Sequence, residues 1–97
     1  MLADEPRDVF LRYSLAMEWS NAGQVESSLA LLQELIQEQP AYVPAFFRSA
    51  QILADEQRIA EARGFLREGI EVARAQGDMH AAGEMSEMLA DLGQLGD

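Results

Sequence analysis

The 97-residue chain has no cysteine, no lysine, one histidine and only three prolines. Without cysteine there can be no disulfide, no thiolate nucleophile and no Cys-built metal site. A reducing cytoplasm suits such a chain, and the cytoplasm is the expected location. The missing lysine leaves arginine as the sole source of all seven basic charges, which reads as a coding bias. Long apolar runs are missing too. No stretch approaches the ~20 residues that cross a bilayer. The first eight residues are acidic and lack the apolar core of a signal peptide. The chain is therefore expected to stay where it is made, or to be a piece of something larger, with no membrane contact.

Positive charge is also scarce. Seven arginines face 17 acidic residues, for a formal net charge of −10. Nucleic-acid binding needs a basic face to neutralise phosphates, so no nucleic-acid partner is expected. Anionic lipid surfaces are disfavoured for the same reason. His80, with Glu84 four residues on, offers too few ligands for a metal site and reads as a surface or capping residue. There is no G-x-S-x-G, no phosphate-cradling glycine loop and no H-E-x-x-H. The many carboxylates have no partner in a closed pocket that would tune them for acid–base work. No enzyme activity, no cofactor and no metal are expected. No segment alternates apolar and polar residues as a half-buried strand would.

What remains is apolar residues, 48% of the chain, arranged with helical periodicity. Five stretches carry it, over about 8–21, 24–39, 43–55, 58–76 and 79–92. In the first, Leu11, Leu15 and Trp19 share one face, and Asn21-Ala22-Gly23 is a stop signal. In the second, Val25, Leu29, Leu32 and Ile36 are in step, and Pro40 ends it. Pro44 fits the first turn of the third helix, whose apolar face is Phe46, Ala50 and Leu53. The fourth places Ile59, Ala62, Leu66, Ile70 and Ala73 together, and Gly77-Asp78 breaks it. The fifth turns Ala82, Met85, Leu89 and Leu92 inward, with Met88 at an exposed end. Residues 93–97 are expected to be loose. Loops of about two to five residues force neighbouring helices to run antiparallel.

The first two helices repeat in the next two at an offset of 34. Trp19 matches Leu53, Ala16 matches Ala50, Val25 matches Ile59, Ser28 matches Ala62, Leu32 matches Leu66 and Ile36 matches Ile70. Small residues at Ala16, Ser28, Ala50 and Ala62 let paired helices approach, and large ones at Trp19, Leu32, Leu53 and Leu66 fill the space between neighbours. A 34-residue, two-helix unit resembles the tetratricopeptide repeat. Arg12, Leu15, Ala16, Trp19, Ser28, Leu32 and Pro40 fall on its pattern in the first unit. Phe46, Ser49, Ala50, Leu53, Ala62 and Leu66 do so in the second, with Arg74 where the pattern has proline. The resemblance implies one all-α domain over 1–97, a right-handed α-α superhelix of two helix pairs plus a capping helix. Repeat one spans about 9–42, repeat two about 43–76 and the cap about 78–92. Two departures stand out. Arg12 replaces a large aromatic, which weakens the first unit, and Gln57 stands where the first unit has Gly23.

The resemblance further implies a protein–protein interaction module, an adaptor whose concave groove takes a peptide or helix. The groove residues would be Phe10, Tyr13, Met17, Asn21, Phe47, Arg48 and Gln51, with Asp55 beside them. Phe10, Tyr13 and Met17 lie at i, i+3 and i+7, away from Leu11 and Leu15, so the first helix is apolar on two sides where one is usual. A second apolar stripe suggests contact with something beyond the fold: a protein or peptide, or a second copy in a homodimer, which the helix from Met79 to Leu92 could form instead. It is also compatible with Phe10 and Tyr13 tucking under the N-terminal arm or the third helix. Of the positions that grip a C-terminal carboxylate in some family members, Tyr13, Met17, Arg48, Asp78 and Ala82, only Arg48 could do so. It could equally pair with Asp55 or Glu18. Arg63, Arg67 and Arg74 with Glu68 and Glu71 read as a solvated face with local ion pairs, or as a dock for an acidic partner.

Overall fold

A computed structural model describes residues 8–96, with side chains through Gly93. The N-terminal arm, residues 1–7, and Asp97 lie outside the described residues. Among those described there are five helices and no strand: α1 (Val9–Asn21), α2 (Val25–Ile36), α3 (Val43–Asp55), α4 (Ile59–Ala75) and α5 (Met79–Gly96). Each packs against the next in the chain, and α5 also touches α3. This is the expected helical repeat of two hairpins closed by a fifth helix.

The helix ends follow from local chemistry. Asp8 caps α1, its carboxylate accepting from the Leu11 N–H at 3.1 Å, and Asp78 does the same for the Ala81 N–H at 3.1 Å. Such caps satisfy donors that have no partner within the helix. Three turns close with one hydrogen-bond pattern. Gln24 N–H donates to Trp19 O, Arg58 N–H to Leu53 O and Asp78 N–H to Ala73 O, each at 2.8 Å. The preceding residue in each case, Gly23, Gln57 or Gly77, has positive φ, at 86°, 64° and 78°. These are Schellman ends. Trp19 and Leu53 thus hold equivalent backbone positions, although Leu53 is buried and Trp19 only half-buried; among the described helices α1 packs mainly on α2, whereas α3 packs on both α2 and α4.

Gln57 carries the strain that glycine avoids at the other two turns. A side chain in the left-handed region costs on the order of 1 kcal/mol. Gln57→Gly is expected to stabilise the protein by about that amount, raising Tm by roughly 4–8 °C. Gly23→Ala should act in the opposite direction. A Cβ at Gly23 would meet nothing within 4 Å, so conformation alone sets its effect. Thermal melts of both variants check the pair, and a lower Tm for Gln57→Gly would contradict the assignment.

The core runs through both hairpins. Leu32, Leu66, Ala50, Ala62, Ala73 and Met85 are fully buried, with Phe46 and Leu53 close behind. Ala16 and Ser28 are buried against each other, the Ser28 hydroxyl donating to the Ala16 carbonyl at 2.7 Å. The second unit makes the matching approach with Ala50 and Ala62 alone. Three expectations need correction. Leu11 and Leu15 are 45% and 38% exposed; α1 instead turns Ala16 inward with Val9, Tyr13 and Trp19 against the core. Second, α2 stops at Ile36, before Pro40, and a six-residue turn follows over 37–42. The residue before a proline is driven out of the helical region, and the Leu35 carbonyl bonds the Tyr42 N–H at 3.1 Å. Third, α5 runs on to Gly96, so Gly93 does not end it. Arg12 is also no simple defect. It is largely buried and bonds Glu38 at 3.1 Å and Glu34 at 3.9 Å on the α2 side.

Candidate protein-interaction surface

Helix α1 and the start of α3 build one surface together. Its centre is Tyr42, the residue just before α3. The Tyr13 ring meets the Tyr42 ring edge-on, centroids 5.4 Å apart at 70°. Phe10 also meets Tyr42 edge-on, at 6.1 Å and 85°. Edge-to-face contacts bring the positive edge of one ring to the negative face of another. Phe10 nevertheless remains 67% exposed. An apolar ring this open, held by the Tyr42 ring alone, is a ready contact surface. Beside it a cavity of about 460 Å³ opens along Val9, Ala41 and Tyr42 towards Gln76. The Gln76 side-chain amide closes the far edge by donating to the Ala41 carbonyl at 2.9 Å.

On α3, Arg48 and Gln51 point the same way. The Arg48 Nη1 donates to Gln51 Oε1 at 3.1 Å. Among the described residues Arg48 makes no ion pair, so its partner is neither Asp55 nor Glu18. The guanidinium is near enough to Tyr13 to favour its ionisation, but burial outweighs this and the Tyr13 phenol is raised above its ordinary value. Burial raises Tyr42 as well. Of the residues expected to line the groove, Phe10 and Tyr13 meet through Tyr42, and the Arg48 charge acts on Tyr13. Phe47 is half-buried and packs against the core, Met17 is half-buried, and Asn21 is exposed at the end of α1. No ring contact or hydrogen bond ties these three to the aromatic cluster. Ala82 is buried and so cannot contact a carboxylate. Tyr42 escapes a reading based on helix faces because it precedes α3 in an irregular turn. Its only sequence signal is an aromatic two residues before Pro44.

The two tyrosines of the chain both lie in this cluster. The neutral phenol is favoured in the fold. Stability is therefore complete below the ordinary tyrosine range and falls as pH rises through it towards the raised values. Tyrosinate absorbance should titrate above that of an unfolded control. A titration matching the unfolded chain would mean that the cluster is open to water.

Comparison with known proteins gives a consistent result. The family model for the tetratricopeptide repeat matches residues 21–86. The solution NMR structure of a tetratricopeptide repeat domain protein from Salinibacter ruber aligns with a TM-score of 0.84 and 30% identity, over 91% of this chain and 89% of that one. A crystal structure of a tetratricopeptide repeat domain protein from the same organism aligns at 0.80 and 29%, over 92% and 99%. No curated protein matches significantly.

Proposed function

The chain belongs to the tetratricopeptide repeat family, and from that premise we propose that it is an adaptor that binds a protein segment, peptide or helix, on the surface of α1 and α3. The family is generally a protein-interaction scaffold, and site chemistry must carry anything finer. The carrying observation is Phe10, 67% exposed yet braced against Tyr42, next to Tyr13 and the Arg48–Gln51 pair. Aromatic side chains beside an arginine are the usual anchors of a protein interface. A bound segment would lay an apolar residue on Phe10 and Tyr13. It would offer an acceptor to Arg48, whose hydrogen bond in the free protein is to a neutral amide. Met17, Asn21 and Phe47 extend the same face.

The experiment is a pull-down comparing wild type with a Tyr13→Ala, Phe47→Ala double variant, identifying the captured proteins by mass spectrometry. A partner retained by wild type and lost by the variant supports the surface. Equal capture discards it. A second reading, self-association, is favoured by exposed Leu11 and Leu15 on the other side of α1. Solution mass across a concentration range decides it: a dimer broken by Leu11→Glu supports it, and a strict monomer ends it. No catalytic role is proposed. No described helix is long and apolar enough to cross a membrane. The cytoplasm is the proposed location, and nucleic acid is not a proposed partner.

A further inference from the structure

A cleft runs between α2 and α4, away from Phe10, Tyr13 and Arg48. Its first part is a cavity of about 410 Å³ with Leu29 and Phe65 facing it from the two helices. A second cavity of about 290 Å³ adjoins it, sharing Gln33, Glu61 and Phe65 and reaching Gly64 and Glu68. Leu29 and Phe65 pack on the core and stay half-buried, so each keeps apolar surface available to a ligand. Gly64 lies inside α4, where glycine is less stable than alanine. A Cβ there would meet nothing within 4 Å, so packing within the chain does not require it. Its effect is to open the wall of the cleft beside Phe65.

The cleft is acidic on balance. At one end Arg58 bonds Glu26 at 2.6 Å and Glu61 at 2.8 and 3.0 Å, so its single charge is already met by two carboxylates. Glu68, two helical turns beyond Glu61, stands at the other end with no arginine lining that part. Three carboxylates thus face one guanidinium, on a chain of net charge −10 that steers cations towards it.

We propose that this cleft docks a basic amphipathic helix of a partner protein. An apolar side chain of that helix sits between Leu29 and Phe65 over Gly64. Arginine or lysine residues seven apart reach the Glu61 and Glu68 ends, which are about 10.5 Å apart along α4. This surface is separate from the α1–α3 groove, and either can fail without the other.

The probe is a fluorescently labelled helical peptide with arginines seven residues apart flanking a leucine, and a twin with glutamates in their place. Fluorescence anisotropy should show the arginine peptide binding, more weakly as salt rises, and the glutamate twin not binding. Gly64→Phe fills the cleft with a residue that suits a helix better than glycine, and Glu68→Arg reverses an exposed charge. Each should weaken binding roughly tenfold or more, with circular dichroism unchanged. If Gly64→Phe does not fold, Glu68→Arg carries the test alone. The Tyr13→Ala, Phe47→Ala variant should bind the peptide as wild type does. No binding, equal binding of the glutamate twin, indifference to Glu68→Arg, or loss through the Tyr13 and Phe47 changes would each overturn the proposal.

Discussion

Gly69→Ala is expected to destabilise the protein by about 2 kcal/mol, lowering Tm by roughly 8–16 °C. A Cβ at Gly69 would lie 2.7 Å from Met85 Sδ, 2.7 Å from Phe46 Cβ and 3.0 Å from Phe46 Cγ. The Met85 side chain can bend away. The Phe46 Cβ cannot, because it is fixed to the backbone of α3 and can clear the new methyl only if α3 and α4 move apart. All three residues are buried, and overfilling a packed core costs about 1–3 kcal/mol, sometimes more. Alanine's better helix propensity returns up to about 1 kcal/mol. The control lies in the same helix. At Gly64 a Cβ meets nothing within 4 Å, so Gly64→Ala should keep the propensity gain and raise stability by up to about 1 kcal/mol. Opposite shifts in urea midpoints would establish the close crossing at Gly69. Equal shifts would mean that α3, α4 and α5 do not meet there.

The sequence makes the interior of this fold readable and its ends less so. Ala50, Ala62, Leu53 and Leu66 are buried where the 34-residue offset puts them, because a residue between two helix layers has neighbours whichever repeat it occupies. Helix α3 keeps its expected bounds, since Pro44 starts it and the Gln57 turn stops it. In α1 the same inference fails. Leu11 and Leu15 carry the strongest apolar spacing in α1 and are exposed. Periodicity says that a helix has an apolar side, but not that a neighbour covers it. Gly93 is a poor stop because glycine ends a helix only when the chain takes positive φ, as at Gly23 and Gly77. The candidate surface is legible in the same partial way. Helix-face spacing places Phe10, Tyr13 and Met17 on one side, and Arg48 and Gln51 do meet. Tyr42, the ring that joins Phe10 to Tyr13, has no helical period to reveal it. The α2–α4 cleft has no motif at all, since residues from two repeats form it only once they stack.

Position four of each repeat shows how strongly place in the stack decides what a residue can be. Phe46 is 1% exposed and lies against Gly69. Its counterpart Arg12 has a side chain 15% exposed, yet its guanidinium reaches Glu38 and Glu34 at the rim of α2. Phe46→Arg would lose an aromatic core residue, about 3–5 kcal/mol, and bury a charge with no partner, at a further cost of several kcal/mol. A domain of this size has about 5–15 kcal/mol of stability in all. The variant is therefore expected to show no cooperative melt and little helical circular dichroism. The reverse change should be mild. Arg12→Phe gives up ion pairs that, where partly exposed, are worth about 0–1 kcal/mol, and gains apolar contact with α2. Its stability should stay within about 1 kcal/mol of wild type, read by thermal melt and by the fluorescence of Trp19, the chain's single tryptophan. If Arg12→Phe unfolds the protein as Phe46→Arg does, the contacts of Arg12, those to Glu38 and Glu34 among them, hold repeat one together and the two positions are equally demanding. If it does not, the arginine is tolerated because its guanidinium reaches carboxylates at the rim of α2, and the demanding core begins one layer further in, at Ala16 and Leu32.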